Sequence, residues 1–439
     1  MTVTVVGAGL AGCEAAWQLA KRGVDVRLVE QKPLRRTPAH HADTFAELVC
    51  SNSLRAAPVS TGPGLLKAEM RLLDSLIIGC ADATRVEAGG ALAVDREAFS
   101  RLVTQRIRAC RHIEIRREEV TRIPEGPCII ASGPLTDGAL AEEITRLTGE
   151  PLNFFDASAP LVTYDSIDLD RAFFAARYGK GTPDYVNCPM TEAEYTAFWE
   201  ALSAAEAAPV HGFEENMVFE GCMPVEVMAH RGKMTLAFGP LKPVGLVDPR
   251  TGKMPYAVVQ LRRDNAEGTL YNMVGFQTHL KHPEQKRVFS MIPALHAAEF
   301  ARYGVMHRNS FLRSPGLLDA GYALIADRRI RFAGQMTGVE GYIESAASGL
   351  AAGICTAFAL AGKPEPDFTR RTAVGALAHY IAEGPETGAF QPMNINFGIM
   401  EPLEKRGKKR DRKSAMAQRA LETMRAIRED IYRRRLCGL

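Results

Sequence analysis

The sequence predicts an α/β protein: one domain built on a parallel sheet and discontinuous along the chain, interrupted by a mixed α+β insertion. Three observations carry this. Residues 1–30 run strand, glycine-rich turn, helix, strand. A second strand, glycine-rich turn and helix follow at residues 330–362. Between them the alternation lapses, and aromatic residues and prolines become common.

Val3-Thr4-Val5-Val6 is a short β-branched run that reads as a buried strand. Gly7-Ala8-Gly9-Leu10-Ala11-Gly12 follows without a spacer, and Cys13 to Arg22 carries a helical pattern that Gly23 stops. Val24 to Val29 is a second strand, closed by Glu30. A G-x-G-x-x-G turn between strand and helix, with an acid ending the next strand, is the setting of a dinucleotide site of Rossmann type. Gly7 permits the tight turn, Gly9 lets a pyrophosphate approach the backbone, and Gly12 lets helix and strand pack closely. The helix N-terminus would hold the phosphates, and Glu30 would accept from a ribose hydroxyl.

With 439 residues, 46% hydrophobic and 24% charged, the chain has the composition of two or three globular domains. Its nine cysteines are widely spaced and include no C-x-x-C pair, which argues against a disulfide framework and against a metal site. That usage fits a reducing cytoplasm, and the N-terminus lacks the basic stretch of a secretory leader. Ser345 to Gly362 runs 18 residues without a charge. Built from Ala, Gly, Ser and Thr, it reads as a helix buried against a sheet, with no membrane span expected. The net charge of +3 conceals an asymmetry: Glu401 to Leu439 holds 13 Lys and Arg against 6 Asp and Glu.

Along the chain, His40 and His41 read as loop residues. Leu65 to Ile78 reads as one helix, and Asp95 as the N-cap of another lined by Phe99, Leu102, Val103 and Ile107. His112 to Ile115 and Val120 to Ile123 read as a strand pair. Cys128 to Ala131 is an apolar strand ending at Ser132-Gly133-Pro134, as in the two-dinucleotide folds of glutathione-reductase type. Thr136 or Asp137 would cap a short helix ending at Gly149. The body then comprises residues 1–165 and 307–439, and the insertion 166–306. Within the insertion, Met190 to Ala208 reads as a helix carrying Trp199, and Met234 to Phe238, Tyr256 to Arg262 and Leu270 to Phe276 as strands. Ile330 to Ala333 is again a strand, Gly334 to Gly341 a turn, and Tyr342 starts the small-residue helix, whose positive N-terminus would point at whatever occupies the site, for a flavin its N1/O2 edge; Glu344 in its first turn is a candidate cap. At the end, Ala420, Met424, Ile427 and Ile431 form a stripe that docks the last helix on the body. The preceding run of Lys405, Arg406, Lys408, Lys409, Arg410, Arg412 and Lys413 is a candidate polyanion contact.

The glycine turn with Glu14-Ala15-Ala16, together with Phe332 to Ala346, resembles the GidA-related tRNA-modifying flavoproteins. Leu48 to Leu54, Glu220 to Glu226, Val274 to Leu280 and Tyr303 to Asn309 are most similar to the folate- and FAD-dependent tRNA uracil-5 methyltransferases of that group. The resemblance runs the length of the chain. It implies FAD as cofactor, NAD(P)H as reductant, methylenetetrahydrofolate as carbon donor, and 5-methyluridine at position 54 of the tRNA T-loop as product. The FAD-binding residues expected are Gly7, Ala8, Gly9, Leu10, Ala11 and Gly12, then Glu30, Gln31 and Lys32, then Gly133, Gly334, Gln335, Gly341, Tyr342 and Ile343. His279 and His307 are the candidate pterin contacts. A GidA-like enzyme of the wobble uridine, and an FAD-stabilised tRNA-binding protein without turnover, are the alternatives.

Two cysteines fall in the resembling motifs, Cys50 and Cys222. C5 of uracil is a weak nucleophile; a thiolate adding at C6 makes an enolate that activates C5, and a base must later remove the C5 proton. One cysteine is expected to add and the other to assist the proton transfer. An ordinary cysteine is only about 3% thiolate at pH 7, so it needs a cation, a base or a helix N-terminus nearby. Ser51, Asn52, Ser53 and Arg55 are the expected stabilisers of Cys50. The other seven cysteines are expected to be packing residues.

Overall fold

The computed structural model describes residues 2–37, 39–149, 151–179, 181–209, 223–385, 390–403 and 409–434. The chain enters through β1 (Thr2–Val6), α1 (Leu10–Ala20) and β2 (Asp25–Glu30), turning at Gly23 with φ +80°. A small antiparallel sheet follows, β3 (Ser53–Ala56), β4 (Arg85–Val86) and β5 (Ala91–Val94), with α2 (Gly62–Leu72) and α3 (Leu76–Ala83) between β3 and β4. The single helix expected from Leu65 to Ile78 is broken at Asp74, where φ is +55°. Tertiary capping breaks it. Ser75 accepts from the Ile78 amide at 3.2 Å, and the buried Glu14 carboxylate on α1 accepts from the Ser75 hydroxyl and the Ile77 amide at 2.7 and 2.9 Å. An unbroken helix would leave Glu14 buried without those donors.

Asp95 caps α4 (Arg96–Ala109), accepting from Ala98 N at 2.8 Å, and Phe99, Val103 and Ile107 face the core as expected. β6 (Ile113–Arg117) and β7 (Cys128–Ile130) follow. Val120 to Ile123, expected to pair with β6, is not a strand; β6 instead lies parallel to β2, with Ile113 opposite Val26. α5 (Gly138–Thr148) ends at Gly149 as expected, but neither expected cap holds it. Asp137 pairs with Arg35 at 2.7 Å, and the Thr136 hydroxyl donates to the Gly133 carbonyl at 2.7 Å.

Beyond β8 (Leu152–Ala157) the chain builds a second sheet from β9 (Leu161–Thr163), β10 (Phe173–Phe174), β11 (Tyr185–Met190), β12 (Ala257–Arg263), β13 (Leu270–Met273) and β14 (Phe300–Arg302). It is antiparallel, in the order β10-β11-β12-β13-β9-β14, and takes its first strand a little before Ser166. Among the described residues, four α-helices accompany it: α6 (Glu192–Ser203), begun by a Thr191–Glu194 capping box, α7 (Val225–His230), α8 (Lys233–Phe238) and α9 (His282–Phe289). α8 is the run expected to be a strand. Gly232 and Gly239 bracket it, and only Leu236 and Ala237 turn inward, a pattern too short for periodicity to separate strand from helix.

β15 (Met306–Phe311) returns antiparallel to β8, so the two crossings between the sheets lie side by side. β16 (Ala323–Leu324) and β17 (Asp327–Phe332) complete the first sheet, ordered β16-β17-β7-β1-β2-β6 and parallel except at β16. The helices α10 (Tyr342–Leu360), α11 (Ala373–Glu383) and α12 (Lys409–Arg433) end the chain. α10 is long and apolar enough to cross a membrane, with mean hydropathy 1.5, yet 89% of that stretch is buried inside the fold. It crosses α1 at van der Waals contact: a Cβ at Gly349 would stand 2.1 Å from the Ala11 carbonyl oxygen. α12 docks through the expected stripe, with Ala420 and Met424 fully buried. The two sheets have separate apolar cores, one holding Val5, Ile129 and Leu350 and the other Val259, Phe276 and Phe289.

Candidate active site

β1 hands the chain to Gly7, whose φ of +96° and amide bond to the Val29 carbonyl at 2.7 Å fold the loop back over the sheet. The Glu30 carboxylate at the end of β2 fixes that loop, accepting from the Ala8 amide at 2.8 Å and the Lys32 amide at 2.9 Å. A carboxylate has about four lone-pair sites, which leaves two for ribose hydroxyls. A Cβ on Gly12 would stand 1.8 Å from the Gly7 carbonyl oxygen, so Gly12 serves packing. A Cβ on Gly9 would meet nothing within 4 Å, so the backbone there lies open. Neither α1 nor α10 has a side-chain cap, and Gly341, at φ +116°, begins the second.

These pieces line one elongated cleft enclosing about 1560 Å³, solvent at its mouth included. Of the expected FAD residues, Gly7 to Ala11, Glu30 to Lys32, Gly133, Gly334, Gln335 and Tyr342 line it. Gly12, Gly341 and Ile343 do not line it, and Ile343 is 1% exposed. Two uncapped helix N-termini, an open glycine backbone and an acid at the end of the second strand fit a dinucleotide such as FAD. Glu344 does not cap α10 by side chain: fully buried, it pairs with Arg55 at 3.2 Å and accepts from the Ile395 amide at 3.1 Å, and burial pushes its carboxyl up.

Cys50 stands in the same cleft, beside the N-terminus of α10. The Tyr342 hydroxyl accepts from the Cys50 amide at 2.7 Å and the Ser51 amide at 3.2 Å. The stabilisers expected from sequence are spent elsewhere. Ser51 accepts from Arg262 at 2.8 Å, Asn52 donates to the Val94 and Arg263 carbonyls at 3.0 Å, the Ser53 hydroxyl accepts from the Arg55 amide, and Arg55 pairs with Glu344. Two residues that sequence reasoning missed come in their place. Arg96, first residue of α4, donates to the Leu48 carbonyl at 2.7 Å and pairs with Asp264 at 2.9 Å. Arg302 on β14 donates to the Cys50 carbonyl at 3.4 Å. Arg96 follows a legible N-cap, but nothing in sequence ties residues 96 and 302 to residue 50.

Cys222, Lys405, Arg406 and Lys408 lie outside the described residues, as do the side chains of His307, Lys409 and Arg410. His307 occupies β15 opposite Asp156. His279 does not line the cleft; it is 7% exposed and pairs with Glu226 at 2.6 Å, whose other oxygen accepts from Thr278 at 2.8 Å. Arg412 and Lys413 are exposed on α12. Burial pushes the Cys80 thiol up to about 11 and those of Cys128, Cys188 and Cys355 up to about 12, which leaves them packing groups. Among the described residues no His, Cys, Asp and Glu cluster could hold a metal ion.

Comparison with known proteins adds four findings. The model of the family described as glucose inhibited division protein A matches residues 2–364. A protein of Acetivibrio thermocellus named methylenetetrahydrofolate–tRNA-(uracil-5-)-methyltransferase TrmFO is 61% identical, over 96% of this chain and 97% of its own. A protein of the same name from Pelotomaculum thermopropionicum is 59% identical, over 98% and 99%. Among solved structures, GidA of Aquifex aeolicus superposes with a TM-score of 0.70 at 15% identity, over 98% of this chain and 75% of that one, a likeness of fold. Matched end to end by such relatives, the chain belongs to the glucose inhibited division protein A family and, within it, to the TrmFO group.

Proposed function

We propose that the protein methylates C5 of uridine 54 in the T-loop of tRNA, giving 5-methyluridine, with methylenetetrahydrofolate as carbon donor and NAD(P)H as reductant. The observation that carries this is the place of Cys50, in the dinucleotide cleft and hydrogen-bonded through its amide to the first residue of α10. The residues from Gly7 to Ala11 and Glu30 would hold the adenosine diphosphate half of FAD, and the turn from Gly334 to Tyr342 its flavin half. FAD, when bound and reduced, supplies the electrons that bring the transferred carbon to the methyl level.

The chain's own residues manage the uracil. One thiolate of the Cys50 and Cys222 pair forms a bond from Sγ to C6, and the C5–C6 π pair moves onto O4 as an enolate. C5 then attacks the incoming methylene. The other cysteine takes the C5 proton, the bond from that methylene to the nitrogen that carried it breaks, and an exocyclic methylene is left on C5. A hydride, which the reduced cofactor would supply, turns it into the methyl group and returns an enolate, whose electron pair restores the C5–C6 double bond as Sγ leaves C6. The body (1–165 and 307–439) would present the cofactor, the insertion (166–306) would bring Cys222 to it, and the run from Lys405 to Lys413 would contact tRNA phosphates. A protein acting on tRNA would meet it in the cytoplasm. His279 and His307 stay the proposed pterin contacts, His279 requiring a shift of the Glu226 pair to reach one.

The test is replacement of each thiol. Cys50→Ala and Cys222→Ala are each expected to abolish methylation of an unmodified T-arm while leaving the bound-flavin spectrum intact. A double variant of near-normal rate would contradict the thiolate mechanism.

A further inference from the structure

Three guanidinium groups converge on the loop that carries Cys50, each from a different element. Arg96 comes from α4, Arg262 from β12 and Arg302 from β14, and they reach the Leu48 carbonyl, the Ser51 hydroxyl and the Cys50 carbonyl. Arg262 is 8% exposed, and the Arg96 side chain 14%. The Nε atoms of all three are buried without a hydrogen-bond partner among the described residues.

The charges on the other side are few. Asp264, 3% exposed, pairs with Arg96. On the loop itself Glu47 is engaged by Lys32 at 3.4 Å and by the amides of His41 and Ala42 at 2.8 and 3.1 Å. From α10 the Tyr342 hydroxyl faces the loop, and burial, then Cys50, push it up, so it stays neutral. Glu344 is committed to Arg55. Among the described residues, three buried or half-buried cations therefore face one buried carboxylate, and buried charge without a counter-charge is costly. Burial and then Arg96 push the Arg302 guanidinium down, whereas Asp264 holds the buried Arg96 guanidinium up. The Cys50 thiol donates to the Ala157 carbonyl at 3.8 Å, and a negative charge on it would offset that of Arg302, unpaired among the described residues.

We propose that Arg96 and Arg302 are positioning residues that hold Cys50 as a thiolate, with Asp264 orienting Arg96. The role is the same whether Cys50 adds to C6 or takes the C5 proton, since both need the thiolate. It rests on Cys50 taking part in the reaction, but its test does not. Each arginine is tied to a backbone carbonyl of the loop, so the seat and the thiol move as one unit. Because Arg302 and Asp264 belong to the second sheet and its loops while Arg96 belongs to the body, the seat is complete only when the two are packed together.

The experiment is alkylation of the full-length, FAD-loaded protein with iodoacetamide from pH 5 to 10, following the Cys50 peptide by mass spectrometry. The wild-type rate is expected to titrate well below the ordinary thiol value of about 8.5. Arg302→Met should move the profile up by about one pH unit, an approximately tenfold slower reaction at pH 7, while Arg302→Lys, which keeps the charge, stays near wild type. Arg96→Met should move it the same way; if that variant fails to fold, the Arg302 pair decides alone. A wild-type profile near 8.5, or Met and Lys variants that coincide, overturns the proposal. If Cys50→Ala keeps full methylation while the alkylation profile shifts as described, the catalytic role of Cys50 falls and the seat stands.

Discussion

Gly9 and Gly12 stand on one loop and serve different ends, which their surroundings separate although the motif does not. Gly9 has an ordinary φ of −74° and open space where a Cβ would go, whereas Gly12 faces the Gly7 carbonyl oxygen at 1.8 Å. Gly9→Ala is therefore expected to leave the melting temperature of the apoprotein unchanged and weaken FAD retention. Gly12→Ala should destabilise the apoprotein itself, by about 1–3 kcal/mol, the usual range for forcing extra atoms into a packed site. Thermal unfolding with and without FAD checks both, and equal effects on the apoprotein would contradict the division. Glycines of this kind are legible because only one residue type suits them. The environment of Cys50 was not: Ser51, Asn52 and Arg55 look suited to a thiolate by adjacency, yet each is taken by a partner far away in sequence, and the cations that reach the loop come from residues 96 and 302.

At the scale of elements, buried carboxylates decide where helices begin. Glu14 starts α3, and Glu69 on α2 accepts from the Ala373 and Val374 amides at 2.8 and 2.9 Å and so starts α11. That is why the helix expected from Leu65 to Ile78 is two, a break that the Asp74-Ser75 pair signalled and the apolar pattern on either side obscured. The strands β1, β2 and β7 of the first sheet, by contrast, were legible to within a residue at each end, because their buried positions are apolar; β17, which begins at Asp327 and not at Ile330, and the edge strands β6 and β16 carry too many polar residues for that. α2 also carries Lys67, fully buried on the small sheet, its ammonium donating to the Leu54 and Ala56 carbonyls at 2.7 and 2.8 Å. Burial pulls it from 10.5 to about 7. Between those values the unfolded chain holds the proton and the folded chain does not, so Lys67 makes stability rise with pH over that window, and the contribution is lost as pH falls through about 7. Chemical denaturation at pH 7 and 9 should show wild type gaining on Lys67→Met by at most about 1.4 kcal/mol per pH unit. Parallel slopes would contradict it.

At the scale of the molecule, the cleft is lined from parts of the chain far apart in sequence, Val6 to Cys50, Glu118 to Ser158 and Asn309 to Ser345. The first glycine turn and the turn at Gly334 to Gly341 meet across β1, β7 and β17, and the crossing of α1 and α10 fixes their distance. The loss of strand–helix alternation is the ground for expecting an insertion at residues 166–306. It did not foretell that α8 would be helical, or that β12 and β14 would reach back to clamp the Cys50 loop. The central claim is that this assembly spends reduced flavin and a folate carbon on one uridine. Purified protein loaded with FAD, supplied with NAD(P)H, carbon-13-labelled methylenetetrahydrofolate and tRNA lacking the T-loop methyl group, should place the label in 5-methyluridine, read by mass spectrometry of the digested nucleosides. Loss of any one of the three small molecules should abolish it. Unlabelled T-loop uridine under these conditions, or equal methylation from S-adenosylmethionine alone, would contradict the account.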